Sequence, residues 1–61
     1  MDIKGLKETA LELIGKYPSK KGQIVELYQL ALDEIEEGGS EVHECELAHR
    51  DMLECIEDLE M

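Results

Sequence analysis

Helix-spaced metal ligands and nucleophiles cluster in one stretch of this chain, "ECELAHRDMLECIE", residues 44–57. Glu46 and His49 form an E-x-x-H pair, the spacing at which helical bundles set two iron ligands side by side. Cys45 and His49 stand four residues apart, so on a helix they could hold half of a zinc site, with a symmetric dimer supplying the other half. The same two residues are formally a nucleophile and a base. Each reading has a simpler competitor. Glu46 lies off the apolar stripe of its own segment, and no acid of the preceding segment lies on that segment's stripe to complete a di-iron site. Cys45 and His49 lie on their segment's stripe and face the expected core, where a histidine at one seam position sets helix register. No third group is evident to orient a Cys45–His49 pair. No metal site and no catalytic residue is therefore expected, with Cys45, Glu46 and His49 as the candidates if metal does bind. Gly38-Gly39 reads as a turn and not as a phosphate-binding loop, so no cofactor is expected either.

A second candidate is "DEIEEGGSEVHE", Asp33 to Glu44. Counted as a twelve-residue calcium loop, it puts Asp33, Glu37, Glu41 and Glu44 at ligand positions 1, 5, 9 and 12, with Gly38 at the required glycine. Position 3, however, is Ile35, which has no side-chain oxygen, and position 8 is Ser40, where an apolar residue normally packs. Ile35 also completes the apolar stripe of the segment before it. The expected conformation is a helix end, a Gly38-Gly39 turn and a helix start capped by Ser40.

Three helices must position these groups. Ile3, Leu6, Ala10, Leu13 and Tyr17 step by three and four, a helical stripe broadened by Ile14. Asp2 is its candidate N-cap and Pro18 its stop, giving a helix over about 2–17. A second helix over about 20–37 has the seam Ile24, Tyr28, Ala31, Ile35, and Ser19 is its candidate cap. Val25, Leu27, Leu30 and Leu32 add apolar surface beyond that seam, the pattern of a helix with neighbours on more than one side. A third helix over about 41–60 reads Val42, Cys45, His49, Met52, Ile56, Leu59. With only residues 38–39 as the turn, the last two helices are expected to form an antiparallel hairpin. The fold class expected is all-α: one domain over residues 1–61, an N-terminal helix packed on a helical hairpin, with self-association through the apolar face of the second helix. A chain of this length buries only about 60% of its unfolded surface, which favours such association.

Composition narrows the function. Cys45 and Cys55, ten residues apart on one helix, would have Cα atoms about 15 Å apart, whereas a disulfide needs them within about 7 Å. Reduced thiols and a cytoplasmic setting are expected. No signal peptide or apolar run long enough for a membrane span is visible. The formal charge is −10, unevenly spread. Residues 1–22 hold five lysines against three acids, net +2, and residues 23–61 hold thirteen acids against Arg50 alone, net −12. That field repels nucleic acid and anionic membranes and attracts a basic protein.

The acids are also patterned. Glu44, Asp51 and Asp58 recur every seven residues in a nearly straight column, flanked by Glu41, Glu54 and Glu57. Asp33, Glu34, Glu36 and Glu37 crowd the last turn of the second helix, where they oppose the dipole and one another. Asp33, Glu34, Glu37, Glu41, Glu44, Asp51, Glu54 and Asp58 are thus the expected partner-binding residues. The expected function is a small non-enzymatic interaction module docking on a basic protein, most concretely an inhibitor whose carboxylates stand in for phosphates at the site of a nucleic-acid-binding protein. The alternatives are a helical metal-binding protein, using Cys45/His49 or Glu46/His49 across a dimer, and a structural oligomerisation module.

Overall fold

A computed structural model describes residues 1–60, with side chains through residue 58. The described residues form three α-helices, α1 (Ile3–Lys16), α2 (Lys21–Glu36) and α3 (Glu41–Glu60), with a short 3-10 turn at Pro18–Lys20 and no strand. The all-α expectation holds. No helix among the described residues is long and apolar enough to cross a membrane.

Capping chemistry sets most of the boundaries. Gly5 N–H donates to Asp2 Oδ1 at 2.7 Å, so Asp2 caps α1. Ser40 does the same for α3, its Oγ accepting from His43 N–H at 3.4 Å. Ser19 does not cap α2. Proline at the first position of the 3-10 turn carries the chain into α2 without the extended residue a serine cap needs, and Lys20 stands at the boundary with no side-chain cap.

Between α2 and α3 the chain turns as a Schellman motif. Gly39 N–H donates to Glu34 O at 2.8 Å and Gly38 N–H to Ile35 O at 3.0 Å, which satisfies two carbonyls at the end of α2. Gly38 has φ +110, and a Cβ on Gly39 would lie 2.8 Å from Glu34 O, so both glycines are required by geometry. Ile35 lies within α2 and packs against the core, which removes the calcium-loop conformation for Asp33–Glu44.

Leu6 and Ala10 of α1, Ile24 and Ala31 of α2, and Cys45, Ala48, Met52 and Ile56 of α3 are buried. An alanine from each helix lets the axes approach closely, and the fully buried Leu6, Ile24 and Met52 are each worth about 1.5–3 kcal/mol of burial. The α1 and α2 stripes face inward as their spacing predicts. On α3 the stripe is rotated: Ala48 is buried, His49 is half-buried and Val42 is 53% exposed. Ala48 and His49 both stand between Cys45 and Met52 on that face. Packing against two neighbours puts the small side chain at the centre and leaves the imidazole at the edge. Leu59 lies outside the described side chains.

Candidate functional site: an acidic groove between the second and third helices

Each of α2 and α3 carries a second stripe beside its buried one. On α2 it is Gln23, Leu27, Leu30 and Glu34, and on α3 it is Glu44, Leu47, Asp51, Glu54 and Asp58, both in steps of three and four. These stripes line two adjoining cavities of about 430 and 160 Å³, which share Leu27, Leu30 and Asp51 and form one groove. Lys20 joins from the 3-10 turn, and α1 contributes no lining residue.

The floor is apolar. Leu27 and Leu47 are half-buried, and Leu30 is 53% exposed. Among the described residues the flanks carry six carboxylates (Glu26, Glu34, Glu44, Asp51, Glu54, Asp58) and one ammonium, Lys20. Among the described residues only Asp51 of these acids is in an ion pair, with Arg50 at 3.9 Å, and that pair is too exposed to neutralise the groove. Cys55 forms part of the wall, its thiol donating to Gln23 Oε1 at 2.6 Å.

Of the acids singled out from sequence, Glu34, Glu44, Asp51, Glu54 and Asp58 converge on this groove. Three do not line it. Asp33 and Glu37 are exposed at the end of α2, where no basic residue offsets the dipole. Glu41 turns to α1 instead, its Oε2 accepting from Ile3 N–H at 3.0 Å. A carboxylate at that helix start satisfies an otherwise unpaired donor and the positive dipole end. Sequence reasoning missed Glu26 and Leu47 as site residues and placed Leu27 and Leu30 only as surplus apolar surface. The signal was present, since Gln23, Leu27, Leu30 and Glu34 have the same spacing as a core stripe.

The metal-ligand and nucleophile candidates are dispersed. Cys45 is fully buried, His49 is half-buried, and Glu46 is exposed with its carboxylate 3.9 Å from the Met1 amine. Among the described residues no three His, Cys, Asp or Glu side chains converge as a metal site. Burial, with the charge of Glu41 second, pushes the Cys45 thiol above its ordinary value of 9.0. A nucleophilic cysteine needs the opposite shift. Both cysteines are free.

Comparison with protein-family models, with curated proteins and with solved structures gives no match to the chain.

Proposed function

We propose that this chain is a small, non-enzymatic, acidic interaction module that docks on a basic protein, most concretely an inhibitor occupying the nucleic-acid site of a nucleic-acid-binding protein. The observation that carries the reading is the groove: six carboxylates against one ammonium, five of the six without an ion pair among the described residues, around an apolar floor. Unpaired carboxylates at a concave surface focus negative potential and speed association with a cationic partner. Gln23 beside Cys55 at one end, and Glu34 with Glu44 lining the other, support the antiparallel α2–α3 hairpin that this reading uses. Two free thiols support a reducing, cytoplasmic setting.

The experiment is affinity capture from lysate of the source cells at low and at high salt, with the captured proteins identified by mass spectrometry. A basic protein retained at about 10 mM salt and released near 1 M supports the reading, because screening over about 3 Å removes its electrostatic part. Retention only of proteins that resist salt, with none of them basic, would sink it.

A further inference from the structure

The acid distribution says that the partner is basic, and the shape of the groove says what part of the partner enters it. Both groove-lining helices already pack α1 with one stripe and leave the other open, so the groove occupies the place of a fourth helix in a bundle. Along α3 it runs from Glu44 to Asp58, fourteen residue steps or about 21 Å of axis, the length of a four-turn helix. Its apolar floor is narrow, formed by Leu27, Leu30 and Leu47, with carboxylates on both flanks.

We propose that the groove binds a basic amphipathic helix of a protein partner. The occupant's apolar stripe, at i, i+3 or i+4, and i+7, seats on Leu27, Leu30 and Leu47, and its flanking Lys or Arg side chains meet the rim carboxylates. This rests on the acidic-docking reading above and names its mode. Charge complementarity selects the occupant. A second copy placed across this groove by a two-fold axis would set six carboxylates against six, a like-charge juxtaposition that disfavours pairing. A nucleic acid or an acidic helix meets the same repulsion.

The test uses two synthetic peptides of about 18 residues, long enough to hold helix. Both contain only Leu and Lys in equal numbers, one with its leucines on a single helical face and the other with them scattered around the helix. Binding is followed by amide chemical shifts, and by the rate at which a small alkylating reagent labels Cys55, which lies in the groove wall. The amphipathic peptide is expected to bind about tenfold or more tightly than its isomer at about 10 mM salt, where the Debye length is about 30 Å. It is also expected to shift Leu27, Leu30, Leu47 and Asp51 and to slow labelling of Cys55. Leu30→Gln, at an exposed position, is expected to weaken that peptide by about tenfold and to leave the melting temperature unchanged.

Equal binding of the two peptides with Cys55 unprotected would overturn the groove mode and leave the acidic reading standing. No binding of either peptide at low salt would overturn both. Protection of Cys55 that rises with protein concentration in the absence of peptide, together with a sedimenting dimer, would put a second copy in the groove and overturn the proposal.

Discussion

Neutralising the acidic column of α3 separates function from stability, and the two effects differ enough in size to be measured apart. The variant is Glu44→Gln, Asp51→Asn, Asp58→Asn, which keeps side-chain shape and removes three charges that line the groove. Neighbours in the column are seven residues apart, about 10.5 Å along the helix. At that distance two like charges in water repel by about 0.4 kcal/mol, and screening at physiological salt leaves about 0.1 kcal/mol. Relief of this repulsion is offset by loss of the exposed Asp51–Arg50 pair at 3.9 Å, itself worth about 0–1 kcal/mol. The two neighbour pairs return about 0.2 kcal/mol against a loss of up to about 1 kcal/mol, so stability should fall by less than about 1 kcal/mol, or by at most about 4–8 °C in a domain of this size. Binding responds differently. Each carboxylate meeting a partner ammonium at about 4 Å contributes about 1 kcal/mol even at the dielectric of bulk water. Loss of three such contacts costs about 3 kcal/mol, near a hundredfold in affinity at low salt. Circular-dichroism melts and peptide titrations of wild type and variant, each in low and physiological salt, read both quantities. Unchanged affinity in a folded variant would remove the column from the interface. A melting temperature more than about 10 °C lower would show that these carboxylates hold the fold and would undo the division between core and site.

Three further outcomes follow from the packing, the turn and the buried thiol. Met52→Ala should cost about 2–5 kcal/mol, because its fully buried side chain fills the centre of the three helices. A chain of this length has only roughly 3–9 kcal/mol in total, so urea denaturation should show the variant at the edge of unfolding. Gly38→Ala should lose about 1–2 kcal/mol from its positive φ, read as a lower urea midpoint with an unchanged slope; an equal midpoint would mean that the turn is not built this way. Because the folded Cys45 thiol holds its proton more tightly than the unfolded one, its contribution to stability should be level below pH 9.0 and fall as pH rises beyond it. Cys45→Ala should flatten that decline in urea titrations above pH 9.0.

Much of the local structure was legible in the residues. Stripes in steps of three and four predicted three helices, and the short polar side chains of Asp2 and Ser40 capped two of them. Gly38-Gly39 stopped α2, and Ile35 excluded a calcium loop, since one apolar side chain cannot be both a core residue and an oxygen ligand. These features depend on neighbours within a helical turn or two, so local sequence suffices for them.

Other features required the neighbours. Spacing could not choose between Ala48 and His49 at the centre of α3, because both lie on the face between Cys45 and Met52. Contact with α1 and α2 together chose the smaller. The sequence also marked eight acids for the partner without showing that Glu41 is taken by the amide of Ile3. Nor could it show that Glu34 of α2 and Glu44, Asp51, Glu54 and Asp58 of α3 share one groove with Glu26 and three leucines. Charge and periodicity are properties of one chain segment and can be read along it. Concavity belongs to two segments at once, and only the packing of α2 against α3, with α1 on their other side, turns two ordinary amphipathic stripes into a site.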